Sequence, residues 1–294
     1  MPHIPESPAS SVAGPAPVPG RDGVDHRVHG PLPMADDGPA LLLIGHGSAR
    51  TDRARLPTLA LAERLRQRGP WSQVAVAFWK EPPSIREALG QLTASRVIVV
   101  PNFASDGIFT REKIPAELAA ATYPGQVILT GAVGAHPLIE QIMVRRIEAA
   151  LARIREAGWP ADQVAVIVIG HGSRRPGGSS VTITQLAERL AAAVHGPRVH
   201  ACFIEEAPLV TDWRSLTPAP VVIAIPMLIA EGMHGSDDVP PQFGLTAEDV
   251  APSAPDLTGP VACGDRQVWY WRGIGSSPDL IDIIEDMALP HLTR

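Results

Sequence analysis

The chain contains a tandem repeat whose two copies lie a constant 125 positions apart, as from His46 to His171. A Gly-His-Gly-Ser segment at 45–48 recurs at 170–173, and Leu-Ala-Glu-Arg-Leu at 61–65 recurs at 186–190. The same spacing aligns further identical residues without a gap: Phe78 with Phe203, Glu81 with Glu206, Pro101 with Pro226, and Gly107 with Gly232. An ungapped match of this length predicts two copies of one fold unit.

The two copies differ at one position that matters for metal chemistry. Phe109 of the first half aligns with His234 of the second half. A phenyl ring has no lone pair for a metal, whereas imidazole is a common metal ligand. If the chain holds a metal ion, the second half is therefore expected to hold it.

The composition limits the class of protein. A length of 294 residues fits two domains, 45% hydrophobic residues suffice for buried cores, and a net charge of −6 argues against nucleic-acid binding. No apolar run reaches the roughly 18 residues of a membrane span. Residues 1–38 are rich in Pro, Gly and Ser and lack the apolar core of a signal peptide. We therefore expect a disordered tail at 1–38 and a cytoplasmic protein.

Short apolar runs alternate with helical patterns in both halves. Strands are predicted at 40–44, 74–78, 97–101, 126–130, 164–169, 198–204 and 221–226, and helices at 57–68, 83–92, 111–121, 137–157, 181–194 and 279–287. A Pro- and Asp-rich insertion between Leu245 and Val261 lengthens the second half. This alternation predicts an α/β fold with two tandem duplicated lobes, each a parallel sheet with helices on both faces. The predicted lobes span 39–158 and 159–294.

Three side chains of the second lobe are expected at one edge of its sheet. His171 follows the first strand, Glu206 follows the second and His234 follows the third. Ligands of parallel sheets bind beyond the carboxyl ends of the strands. Because two imidazoles and a carboxylate suit a divalent first-row metal, these residues predict a metal site.

The first lobe offers His46 and Glu81 but has Phe109 in place of the second imidazole, so it cannot form the same site. His46 either faces a cleft between the lobes or is a relic of the duplication, and the sequence leaves both open. Arg174 directly follows the second Gly-His-Gly-Ser segment. Together with Ser173 it indicates an anionic ligand, although ordinary surface charge would explain Arg174 equally well.

These motifs resemble the class II chelatases that insert metal into sirohydrochlorin, both the cobaltochelatases of cobalamin biosynthesis and the ferrochelatases of sirohaem synthesis. The resemblance covers roughly residues 40–290, in the long two-lobed form, and its motifs lie at 169–173, 203–208 and 226–240. It implies that His171 and His234 bind the metal near the macrocycle, with Glu205 or Glu206 close by. The motif does not choose between these glutamates.

The resemblance implies a sirohydrochlorin chelatase whose metal is a substrate, with Co²⁺ favoured over Fe²⁺. Its implied catalytic residues, which also bind the metal, are His171, Glu206 and His234. Its implied contacts to the tetrapyrrole are Ser173, Arg174, Phe109 and His46. Phe109 either closes the first lobe's pocket or contacts the flat face of the macrocycle.

The expected partner is the tetrapyrrole alone, without nucleic acid or membrane, and the internal duplication favours a monomer. No iron–sulfur cluster is expected, because Cys202 and Cys263 do not form the cysteine motifs that some long family members carry. The alternatives are a ferrochelatase of sirohaem synthesis and a non-catalytic carrier of metal or tetrapyrrole derived from a chelatase. Phe109 motivates the carrier alternative.

Overall fold

The computed structural model describes residues 38–173, 180–229, 237–251 and 253–292. The first lobe contains β1 Ala40–Gly45, α1 Leu56–Arg68, β2 Gln73–Phe78, α2 Ile85–Gly90, β3 Arg96–Pro101, α3 Ile114–Ala120, β4 Gln126–Leu129 and α4 Leu138–Glu156. The second lobe contains β5 Val164–Gly170, α5 Ser180–Ala193, β6 Arg198–Phe203, α6 Trp213–Leu216, β7 Val221–Pro226, β8 Leu257–Cys263, β9 Arg266–Trp271 and α7 Asp279–Ala288. No helix within these ranges is long and apolar enough to cross a membrane.

Each lobe is built on one sheet. The strand order is β2-β1-β3-β4 in the first lobe, where all pairs are parallel, and β6-β5-β7-β9-β8 in the second, where β8 runs antiparallel to β9. The predicted α/β class with duplicated parallel sheets is confirmed. Because β1 and β5 are flanked on both sides, the two Gly-His-Gly-Ser loops leave the interior of each sheet.

Strand β1 shows why these apolar runs form buried strands. All of its residues are buried, and their side chains alternate between two faces of the sheet. Leu41 and Leu43 join a core shared with the second lobe, whereas Leu42 and Ile44 pack beneath α2 and α3 in a core of the first lobe. A strand covered by helices on both faces needs apolar residues at every position.

Two helices of the first lobe begin later than the sequence predicts. Helix α2 begins at Ile85 because the Ser84 hydroxyl accepts a hydrogen bond from the Glu87 amide at 3.3 Å, while the Ser84 amide donates to the Glu87 carboxylate. This reciprocal cap fixes the first turn. Helix α3 begins at Ile114 because the preceding residues Phe109–Lys113 form a π-helical turn.

The insertion in the second lobe ends in a hairpin that the sequence analysis missed. Val97 of β3 pairs with Val127 of β4, and Val222 of β7 pairs with Val268 of β9. Val97 and Val222 are 125 positions apart, whereas their partners Val127 and Val268 are 141 positions apart, so the offset between the lobes increases after the third strand. Strand β9 is thus the counterpart of β4, and β8 is an added edge strand. Gly259 and a cis Pro260 interrupt β8, which hid its strand pattern.

The two lobes share one apolar core. Helix α4 of the first lobe packs against α5 of the second, and α7 of the second lobe packs against α1 and β3 of the first. Buried residues of both sheets and of all four helices form a single cluster. Exposed ion pairs such as Arg189 with Glu140 line this junction, but burial of apolar surface contributes far more than such pairs. The division of the chain at residues 158 and 159 stays a prediction.

Ile147 tests whether the lobes unfold together. This residue of α4 is fully buried in the shared core. Ile147→Ala is expected to lower the free energy of unfolding by about 2–5 kcal/mol, because it removes buried methyl groups and leaves a cavity. Calorimetry should show one cooperative transition shifted to lower temperature. Val181→Ala, at a site 50% exposed, is the control and should change stability by less than about 0.5 kcal/mol. Two separate transitions would contradict a shared core.

Candidate metal site

The two Gly-His-Gly-Ser loops hold their histidines in the same tautomer. The Nδ1 atom of His171 lies 3.2 Å from the Gly172 carbonyl oxygen, and that of His46 lies 3.0 Å from the Gly47 carbonyl oxygen. Because a carbonyl oxygen only accepts hydrogen bonds, Nδ1 carries the proton and donates it. In the neutral imidazole the lone pair then lies on Nε2, the arrangement used when a histidine binds a metal.

Gly172 brings the His171 loop against Glu206. Its φ of 77° is in the left-handed region, and a Cβ atom there would lie 2.9 Å from the Phe203 Cβ and 3.0 Å from the Glu206 Cγ. Only glycine fits this turn without strain. The amide of Glu205 donates to the His171 carbonyl at 3.0 Å, so the ends of β5 and β6 are joined directly.

The structure distinguishes the two glutamates that the sequence left open. Glu205 is exposed, whereas Glu206 is half-buried beside Gly172. The Oε1 atom of Glu206 is fully buried and has no hydrogen-bond donor within the part of the chain that the structure describes. A buried carboxylate oxygen without a donor is costly and favours a cation beside it. Glu206 is therefore the better candidate for the acidic group of the site.

The structure describes only some of the remaining predicted site residues of the second lobe. Ser173 is half-buried at the end of the described loop, while Arg174 and His234 lie outside the described residues. Among the described residues, no group of three His, Cys, Asp or Glu side chains is placed to hold a metal ion. The structure places His171 and Glu206 at neighbouring strand ends, and the metal-binding roles of His171, Glu206 and His234 stay a prediction.

The first lobe repeats this arrangement but neutralises its carboxylate. Glu81 Oε1 accepts a hydrogen bond from the Ser48 amide at 3.0 Å, and Arg55 Nη1 lies 3.4 Å from Glu81 Oε2. The Glu81 side chain is 8% exposed. At the 125-residue offset, the second lobe has Ser180 in place of Arg55. The first lobe thus differs from the second at Arg55 as well as at Phe109. The sequence analysis did not predict that Arg55 pairs with Glu81, although the same offset would have shown that the lobes differ at this position.

Aromatic rings gather around Phe109 at the edge of the first sheet. The Phe109 ring stacks on Phe103 at 5.9 Å, and its centroid lies 5.1 Å from His46 and 5.5 Å from Trp79. All four rings are half-buried. The counterparts of Trp79 and Phe103 in the second lobe are Ile204 and Leu228, so these rings have no equivalent there. We call Trp79, Phe103 and Phe109 the ring cluster.

Comparisons with known proteins identify the family of the chain. The model of the CbiX family matches residues 40–150 and 165–289, one segment in each lobe. A probable sirohydrochlorin cobaltochelatase of Halobacterium salinarum is 30% identical over 271 residues, which cover 85% of this chain and 90% of that protein.

Two solved structures have the same fold. CbiX, described as the terminal enzyme for biosynthesis of siroheme in denitrifying bacteria, superposes with a TM-score of 0.62 at 23% identity, covering 87% of this chain and all of that one. A multi-domain protein of Deinococcus radiodurans with structural similarity to chelatases superposes with a TM-score of 0.61 at 23% identity. That match covers 86% of this chain, and this chain spans only 55% of the Deinococcus protein. Since the family model matches most of the chain in two segments, the chain belongs to the CbiX family of sirohydrochlorin chelatases.

Proposed function

We propose that this protein inserts a divalent metal ion into sirohydrochlorin and that its second lobe carries the reaction. The observation that carries this proposal is the buried Oε1 atom of Glu206, which lies next to the His171 loop without a donor among the described residues. A metal ion at this edge would compensate the charge of the carboxylate. His171 supplies an imidazole lone pair from the adjacent strand end.

Each of the three groups has a role in metal transfer. Metallation requires that the metal lose its water ligands and that two pyrrole N–H protons leave the macrocycle. We assign the holding of the metal substrate to His171 and His234, because neutral imidazoles bind a first-row ion loosely enough to release it. Glu206 completes the ligand set or accepts a proton from the ring, which a carboxylate near the reacting nitrogen can do.

The tetrapyrrole contacts come from both lobes in this proposal. The ring cluster offers flat apolar surface to a flat macrocycle, and His46 lies at its border. Ser173 ends the second Gly-His-Gly-Ser loop, Arg174 directly follows it, and both suit the acid side chains of the tetrapyrrole. Since one polypeptide provides both lobes, we propose that a monomer is sufficient for activity.

Cobalt is the metal we favour, because the Halobacterium salinarum relative is named a probable cobaltochelatase. Insertion of iron is the alternative, favoured by the siroheme role of the CbiX protein with the same fold. A carrier without turnover is the second alternative, favoured in the first lobe by Phe109, which stands in place of one imidazole, and by Arg55, which pairs with Glu81. Anaerobic metallation of sirohydrochlorin with Co²⁺, Fe²⁺ or Ni²⁺, followed by absorbance, separates the three. A carrier would bind metal or ring without accelerating metallation.

His234 and His46 test which lobe binds the metal. His234→Ala and His171→Ala are each expected to lower turnover by about 10²-fold or more, because each removes a group at the reacting centre. His46→Ala is the matched control for His171→Ala, since both lie in a Gly-His-Gly-Ser loop. It should leave Co²⁺ affinity unchanged in an equilibrium titration. Loss of Co²⁺ binding in His46→Ala but not in His234→Ala would place the site in the first lobe.

Glu206 and the neighbouring Glu205 form a second matched pair. Glu206→Gln is expected to weaken Co²⁺ binding by about 10- to 100-fold, because it removes the charge of a proposed ligand. The same substitution should leave the melting temperature of the metal-free protein unchanged or raise it, because the amide relieves a buried, uncompensated oxygen. Glu205→Gln, at an exposed position, should alter neither quantity. A loss of Co²⁺ affinity in Glu205→Gln alone would reverse the assignment.

Phe109 tests the contact to the macrocycle. Phe109→Ala is expected to weaken sirohydrochlorin binding by about 1–3 kcal/mol, because it removes apolar ring surface that the macrocycle would cover. Co²⁺ affinity should change less, since the phenyl ring has no lone pair. Phe109→Leu keeps apolar area but loses the ring, so its effect separates stacking from simple burial. Sirohydrochlorin affinity equal to that of the wild type in Phe109→Ala would reduce Phe109 to a packing residue of the first lobe.

A further inference from the structure

A cavity of about 220 Å³ lies at the junction of the two lobes, and no residue of either Gly-His-Gly-Ser loop lines it. Its inner wall is formed by Ile142 and Arg146 of α4, by Trp271 at the end of β9, and by Ser277, which precedes α7. Ile142, Arg146 and Ser277 are each at least nine-tenths buried. The cavity therefore has a buried floor contributed by both lobes.

Arg146 places a charged side chain in the buried floor of this cavity. Its Nη1 donates to the Arg272 carbonyl oxygen at 3.0 Å, and its guanidinium lies 5.1 Å from the centre of the Trp271 ring. No further hydrogen bond joins its side chain to the described residues. A guanidinium has five N–H donors, and no nitrogen of Arg146 is among the fully buried atoms without a partner, so the remaining donors are open to the cavity. The carboxylates of Asp256 and Asp279 act on this charge from a greater distance.

Two carboxylates and a second arginine, Arg145, also line the cavity, and both carboxylates are paired with arginines other than Arg146. Asp256 lies 2.7 Å from Arg272 Nη2, and Asp279 lies 3.2 Å from Arg145 Nη2. Asp279 also accepts a hydrogen bond from the Ser277 hydroxyl at 3.0 Å. Both carboxylates are exposed to solvent at the rim. Burial lowers the pKa of Arg146, and the more distant charges of Asp256 and Asp279 oppose that effect.

The duplicated lobe shows that packing does not require an arginine here. At the offset of 141, α7 is the counterpart of α4, and Met287 occupies the place of Arg146. Met287 packs against the shared core as an apolar side chain would. Since a methionine fills this position in one lobe, the charged group in the other requires a different explanation.

We propose that this cavity binds a small oxyanion, a carboxylate or phosphate, held by the guanidinium of Arg146. A planar guanidinium donates two parallel hydrogen bonds to such a group, so the donors of Arg146 that are open to the cavity would gain acceptors and a negative charge in direct contact. The oxyanion is either a free ion or an acid side chain of the tetrapyrrole. The second source rests on the proposed function. It is geometrically reasonable because β9 lies two strands from β5, roughly 10 Å along the same carboxyl edge.

The test titrates inorganic phosphate into the full-length protein without metal or tetrapyrrole, so it does not depend on chelatase activity. Calorimetry should show binding of phosphate, and the melting temperature should rise with phosphate concentration. Arg146→Met, which copies the residue of the second lobe, should weaken phosphate binding by about tenfold or more. Arg153→Met replaces an exposed arginine of the same helix and should leave phosphate affinity unchanged.

A second titration, with sirohydrochlorin, identifies the source of the oxyanion. Competition by phosphate, together with weaker sirohydrochlorin binding in Arg146→Met, supports an acid side chain of the tetrapyrrole. Phosphate binding that leaves sirohydrochlorin affinity unchanged supports a free ion. The proposal is overturned if the wild type binds no phosphate at millimolar concentrations and phosphate does not alter sirohydrochlorin binding. That result needs no variant, so it holds even if Arg146→Met fails to fold.

Discussion

Helices α4 and α7 bury their apolar faces against the opposite lobe, and the rest of the architecture depends on this exchange. Neither sheet completes its inner core without a helix from the other. The exchange fixes the lobes relative to one another through side-chain packing rather than through a flexible linker. It also explains why buried polar groups at the junction, such as Arg146, are held in defined positions.

The same backbone carries different chemistry at the carboxyl edges of the two sheets. Glu81 and Glu206 occupy equivalent places beside equivalent glycine turns, yet the first is neutralised by Arg55 and the second has a buried oxygen with no donor among the described residues. This difference is electrostatic, since both glutamates follow equivalent strand ends beside equivalent glycine turns. The first lobe has a built-in cation at this edge and the apolar surface of the ring cluster, whereas an external cation is proposed for the second lobe.

The sequence predicts those parts of the structure that a local residue pattern specifies, and it does not predict those that depend on how separate segments pack. Fully buried parallel strands such as β1 and β5 are continuous apolar runs, so their positions and their shared edge follow from the repeat. Strand β8 was not predicted because Gly259 and Pro260 interrupt its apolar pattern. The choice between Glu205 and Glu206 depends on how the chain turns after β6, which no local pattern specifies. The ring cluster depends on the relative positions of three separate loops.

Joining two copies in one chain has a consequence for how they can vary. In a two-fold symmetric pair of identical subunits, each residue occurs at both equivalent sites, so an arginine beside one metal-site carboxylate would stand beside the other as well. A duplicated chain is free of that constraint. Arg55 and Phe109 could therefore arise in one lobe without disturbing Ser180 and His234 in the other. Loss of symmetry therefore allows the proposed metal ligands to lie in one lobe while the ring cluster, the proposed apolar surface for the macrocycle, lies in the other.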